Sequence, residues 1–170
     1  MYIKSDERKL FMDKDMVHQE QNLIQGCINR MASNSFQLKK WYVALVFLGI
    51  TSSCQKTFDK DFVMYVILVL TCIFWYLDGF FLKMETLYRW KYEWVIKKRI
   101  CGNTGFFYDL NPYNKNMWLI ENRKTNIFIF VFSKTLIPLY IGGVIYPLIS
   151  IYYSNIYNFF MCLLTSGLKG

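Results

Sequence analysis

Residues 22–53 read NLIQGCINRMASNSFQLKKWYVALVFLGITSS. The first half is polar and carries Asn29, Arg30, Asn34 and Ser35, whereas the second is almost wholly apolar. No proline interrupts the stretch, and its only glycines are Gly26 and Gly49. It therefore predicts one continuous helix, from about residue 19 to residue 53, that passes from a watery half into an apolar half. With Phe36 and Leu38 before it and residues 51–54 after it, the apolar run reaches about 18 residues, near the minimum for crossing a bilayer. Lys39 and Lys40 stand at its start, where long basic side chains reach back to headgroups.

Upstream, Val17, Ile24, Met31 and Leu38 recur every seven residues, with Leu23, Cys27 and Ile28 beside them. This is the stripe of an amphipathic helix. Glu20, Gln21 and Asn34 interrupt it on nearly the same face. Two readings fit. Copies of the helix bundle, and the polar positions fix register and number; or the helix packs on loops of its own chain.

Downstream, residues 55–61, QKTFDKD, form a charged connector. Residues 62–82 are a second apolar run broken only by Asp78, the clearest membrane span in the chain. Residues 83–99, KMETLYRWKYEWVIKKR, continue that helix, with Glu85 and Arg89 in a favourable four-residue pairing order. Gly102, Gly105 and the Asn111–Pro112 pair then break it, and Trp118, Leu119 and Ile120 are candidates to anchor the following loop at an interface. A last apolar zone, residues 125–164, has its core at 135–153 and holds Pro138, Gly142, Gly143 and Pro147. Such residues are tolerated in membrane helices when neighbours satisfy the freed backbone. Residues 127–132 suit a surface segment, and the tail from residue 154 is too short to span by itself.

The expected fold is an all-α integral membrane protein with three spans, or four if the last zone divides. Its regions are a cytoplasmic amphipathic part (1–35), a first span (36–54), a second span (62–82), a cytoplasmic helix and loop (83–124) and a third membrane region with its tail (125–170). The composition agrees: 54% of the 170 residues are hydrophobic, and they fall in blocks, so a bilayer replaces part of the core. The net charge of +8 gathers in two places. Seven basic residues precede residue 41 and nine lie in residues 83–124. The positive-inside rule puts both parts, and the amino terminus, on the cytoplasmic side of the membrane. No early apolar run predicts a cleavable signal peptide.

The chemistry expected of an enzyme is missing. There is no GxSxG, HExxH, P-loop or dinucleotide fingerprint. The single His18 reads as solvent-exposed. The five cysteines form no CxxC, so neither a metal site nor a disulfide framework is expected, nor is any cofactor. Asp78 is the sharpest residue. A carboxylate inside a span costs about 2.5–3.5 kcal/mol on insertion scales, so it needs a partner or a wet cavity. In an antiparallel hairpin its depth meets Lys39 and Lys40, which predicts a structural ion pair. The competing reading is a charge on a cation path. If four or more copies bundle through the first helix, Asn29, Arg30, Asn34 and Ser35 ring an axis above a bore of Leu38, Leu45 and Leu48, since apolar constrictions gate by dewetting. The other reading of the same polar groups is local capping of loop backbone. The aromatic and basic run YRWKYEWVIKK (88–98) suits lipid headgroups or stacked bases of single-stranded nucleic acid.

Four stretches in order, IQGCINRMASNSFQLKKW (24–41), FWYLDGFFLKMETLYRW (74–90), DLNPYNKN (109–116) and SKTLIPLY (133–140), resemble small bacterial membrane proteins that accompany anti-phage defence operons. The nearest resemblance is to the transmembrane effectors of Hailong systems; a more distant one is to multi-span effectors of cyclic-oligonucleotide (CBASS) systems. The resemblance implies a homotetrameric ion channel held shut by single-stranded DNA oligomers, made by a partner nucleotidyltransferase and released on infection, or gated by a cyclic oligonucleotide. It also implies that such a ligand meets the cytoplasmic basic residues, with Arg8, Lys9, Lys14 and Arg30 as candidates.

Overall fold

The computed structural model describes residues 3–53, 59–101, 105–113 and 126–167, with side chains from residue 14 to residue 157 of these. Every regular element among them is an α-helix: α1 (Ile3–Ser53), α2 (Lys60–Ile100), α3 (Ile127–Val131) and α4 (Ile137–Gly167). The opening stretch is indeed one unbroken helix, and α1 begins well upstream of residue 19. α2 starts where the Asp59 carboxylate accepts the Asp61 amide at 3.1 Å, an N-cap arrangement. It runs on past residue 82 as expected, and Lys97, Lys98 and Arg99 in its last turn suit the negative end of the helix dipole.

Among the described residues, two helices are long and apolar enough to cross a bilayer, α2 and residues 137–157 of α4. The apolar half of α1, expected as a first span, does not meet the same measure of length and composition. Lys39, Lys40 and the polar residues 51–53 dilute its run. The tail from residue 154 continues α4 as far as Gly167, with no proline or glycine between Pro147 and Gly167. The short α3 occupies the segment expected to lie along a surface, and it buries Phe130 and Val131. Trp118, Leu119 and Ile120 lie outside the described residues.

The chain forms two compact units, Met1–Ser35 with Phe80–Ile127 and Phe36–Gly79 with Phe128–Gly170. In the first, Ile24, Cys27 and Ile28 of α1 pack on Tyr88 and Val95 of α2, flanked by Met31, Met84, Tyr92, Trp94 and Leu110. Much of the seven-residue stripe is thus buried within its own chain, on α2 rather than on loops alone. Fully buried aliphatic side chains such as Ile24 and Val95 contribute roughly 1.5–3 kcal/mol each. In the second unit α1 and α2 run antiparallel. Val46 and Ile50 pack against Val63, Met64 and Ile67, Tyr42 meets Thr71, and Lys39 meets Asp78. This unit is also rich in exposed apolar groups, among them Phe36, Trp41, Phe47, Leu48, Phe62, Val69, Tyr152 and Tyr153.

Candidate functional site

The second unit holds a polar cluster among apolar side chains. Asp78 is fully buried. Lys39 Nζ lies 2.8 Å from Oδ1 and 2.7 Å from Oδ2, and the Tyr140 hydroxyl donates to Oδ2 at 3.0 Å. The ion pair expected from the hairpin register is therefore present, formed by Lys39. Lys40, the other candidate, is not in it. One residue further along a helix turns by about 100°, and its Nζ stands 4.5 Å over the Phe36 ring instead.

A second link lies one turn away. Tyr42 packs against Tyr140, ring centroids 4.7 Å apart, and its hydroxyl is 3.3 Å from Thr71 Oγ1. Thr71 donates to the Ile67 carbonyl at 2.8 Å and lies 3.3 Å from the Gly143 carbonyl. The second contact has a specific cause. Pro147, four residues after Gly143, has no N–H to give to that carbonyl, and the Thr71 hydroxyl of a neighbouring helix stands within reach of it, its one proton divided between this carbonyl and that of Ile67. Gly143 also makes room for the Tyr42 hydroxyl, which a Cβ there would overlap. We therefore expect Gly143→Ala to lower stability by about 1–3 kcal/mol through overpacking, read as a lower thermal midpoint of the detergent-solubilised protein. An unchanged midpoint would disprove the close fit.

Trp75 ties α3 to the same cluster. Its indole donates to the Val131 carbonyl at 2.8 Å, and its ring stacks on Tyr140 at 6.0 Å. Gly79, one turn on, lets the α3 backbone approach, since a Cβ there would stand 3.0 Å from Val131 Cα. Tyr140, Tyr42 and Thr71 were not legible as site residues. The one available signal was Gly143 followed four residues later by Pro147.

The expected pore residues fall on one flank of α1. Asn34 and Leu38 are half-buried, Leu45 is 36% exposed and Leu48 61%. Trp41, on the same flank, is 64% exposed. Of the expected ligand-binding residues, Lys14 and Arg30 are exposed and stand about 24 Å apart along the helix axis, so one copy does not bring them together. Arg8 and Lys9 lie in α1, with side chains outside the described ones. His18 is exposed, as are Cys72 and Cys101, whereas Cys27 is buried.

The first unit holds its own polar cluster, outside the apolar run of residues 62–82. Glu20 is 1% exposed and accepts two bonds from Arg99, from Nε at 2.8 Å and Nη2 at 2.9 Å. The Tyr108 amide gives it a third at 3.1 Å. Arg99 also donates to the Gly105 carbonyl at 3.1 Å and lies over the Phe107 ring at 4.1 Å. These contacts hold a turn in which Phe106 and Tyr108 adopt φ of 59° and 55°, left-handed values that cost non-glycine residues of order 1–3 kcal/mol. Lys91, almost fully buried, donates to the Asn111 carbonyl at 2.9 Å and lies 3.6 Å from Asp109. Burial pushes its pKa below the ordinary lysine value, and Asp109 offsets part of that shift. The expected Glu85–Arg89 pair forms at 2.7 Å on the surface. Comparison with known protein families, with characterised proteins and with solved structures finds no match for this chain.

Proposed function

We propose that the chain is embedded in a membrane and assembles into a pore. The observation that carries the membrane reading is the outer surface of the second unit. Large apolar side chains from α1, α2 and α4 stand exposed together there, more than a soluble monomer leaves in water, and a bilayer solvates them. A fully buried carboxylate, paired with a lysine and hydrogen-bonded by a tyrosine, fits the same surroundings.

The pore reading rests on the flank of α1 that carries Asn34, Leu38, Trp41, Leu45 and Leu48. The opposite flank is occupied by α2 through Tyr42, Val46 and Ile50. If copies meet along the open flank, a polar position at Asn34 precedes an apolar bore, which gates by dewetting. The resemblance to anti-phage membrane effectors supplies the biological setting: an abortive-infection channel, homotetrameric and gated by a DNA or cyclic oligonucleotide from a partner nucleotidyltransferase. Planar-bilayer recording of the purified protein tests it. We expect conductance steps from the wild type and altered unit conductance from Asn34→Leu. Silence under every ligand condition would overturn the proposal.

A second reading is favoured by the packing of the first unit. Ile24, Cys27 and Ile28 are spent on Tyr88 and Val95 of the same chain, which leaves that part of the stripe no role in a bundle of copies. On this reading the protein is a non-conducting membrane scaffold whose basic first unit recruits a cytoplasmic partner. Charge reversal at exposed Lys14 and Arg30 would then abolish partner capture and leave membrane potential unchanged on overexpression.

A further inference from the structure

A cavity of about 550 Å³ lies within the second unit where α2 begins, lined by Lys60, Tyr146, Ser150, Tyr153, Ser154 and Tyr157. Among the described residues, two buried polar atoms here have no hydrogen-bond partner: Ser150 Oγ on the cavity wall and Oδ1 of Asp61, which stands behind the lining residues Lys60 and Ser154. The other Asp61 oxygen accepts the Ser154 hydroxyl at 2.8 Å. Buried polar atoms are almost always paired. A carboxylate oxygen can only accept, so what completes it must be a donor. Three tyrosine rings line the same space, and aromatic faces attract organic cations. Asp59 and Asp61 against Lys60 leave the immediate charge negative, which again favours a cationic donor. Lys60 supplies a separate place for an anion.

The lining comes from α4 and, through Lys60, from α2, which among the described residues are the helices long enough to cross a bilayer. The cavity sits at the first turn of one of them, the level at which tyrosines gather at membrane interfaces. A ligand with a primary ammonium and a phosphate a few bonds apart fits every one of these features. We propose that this cavity binds the headgroup of a phosphatidylethanolamine-type lipid. Its ammonium donates toward Asp61 and Ser150 among the tyrosine rings, and its phosphate pairs with Lys60. A choline headgroup has no N–H to donate, and a phosphatidylglycerol headgroup has no cation. The inference rests on the membrane reading above and is independent of conduction.

Native mass spectrometry of the full-length protein tests it, with phosphatidylethanolamine, phosphatidylcholine and phosphatidylglycerol of matched acyl chains offered at equal concentration. We expect phosphatidylethanolamine to be retained in preference to the other two. We expect Ser150→Ala and Asp61→Asn each to lower its retention about tenfold, the loss of one charge-assisted hydrogen bond. Equal retention of the three lipids, or retention unchanged in both variants, would overturn the proposal. Circular dichroism reports whether each variant keeps its helices; where Asp61→Asn does not, Ser150→Ala, a loss of one oxygen, decides the matter. Failure to retain any phospholipid would overturn this inference together with the membrane reading, whereas indiscriminate retention would overturn this inference alone.

Discussion

Lys39→Met is expected to destabilise the protein by about 3–5 kcal/mol, the usual cost of leaving a buried charge without its counter-charge. The carboxylate it exposes to that fate is Asp78, with 0% of its side chain accessible, whereas the lysine itself is 31% accessible. The two single substitutions are therefore unequal. In Asp78→Leu the lysine can swing outward along its flexible stem, and the cost falls to about 1–3 kcal/mol, mostly for the Tyr140 hydroxyl left without its acceptor. Combining the two removes both charges and should recover most of the Lys39→Met loss, because apolar replacement of a whole buried pair is often neutral. Thermal unfolding in detergent, read by tryptophan fluorescence, gives the double-mutant cycle. Additive losses would show that the pair is not coupled. The same proteins separate the two readings of Asp78. A structural pin predicts that the double variant conducts like the wild type, whereas a charge on a cation path predicts lost cation selectivity at restored stability.

This pair was legible in the sequence because two features converged on it. Asp78 was the only charge in a long apolar run, and the short connector at residues 55–61 forced an antiparallel hairpin, which fixed the depth of its partner to within one residue. The choice between Lys39 and Lys40 was not legible, because the helical phase of α1 relative to α2 depends on close packing such as that of Gly49 on Ile67. The continuity of α1 and the extension of α2 to Ile100 were equally readable, since both rest on local signals: no internal proline, and breakers only after residue 101. A helix running through Pro147 was readable, since the proline lies inside an apolar zone; which group stands by the carbonyl it leaves free was not, because the approach of Thr71 is a tertiary contact that local pattern cannot supply. The stripe of α1 posed the opposite difficulty. A seven-residue repeat states that one face is buried, and it is silent on whether the covering helix belongs to the same chain.

Glu20 decides that question by experiment. Glu20→Ala should destabilise the first unit by about 3–5 kcal/mol, because it strips the carboxylate from an arginine whose side chain is only 5% exposed. Glu20 stands 79 residues from Arg99, and in the sequence it is an interruption of the apolar stripe, the kind of polar position that sets register between copies. The two roles predict different results. If Glu20 serves the fold of its own chain, Glu20→Ala frees the turn that holds Phe106 and Tyr108 in left-handed conformations, and those residues relax. Amide hydrogen exchange in residues 88–113 then rises while the oligomeric state is unchanged. If Glu20 sets register between copies, exchange in that turn stays as in the wild type and the oligomer changes size, read by light scattering. Glu20→Gln refines the test. It keeps an acceptor for the Tyr108 amide and loses the charged fork to Arg99, so its cost should fall between wild type and Glu20→Ala. A Glu20→Gln protein as unstable as Glu20→Ala would place the whole effect on the Arg99 ion pair and none on the backbone of the turn.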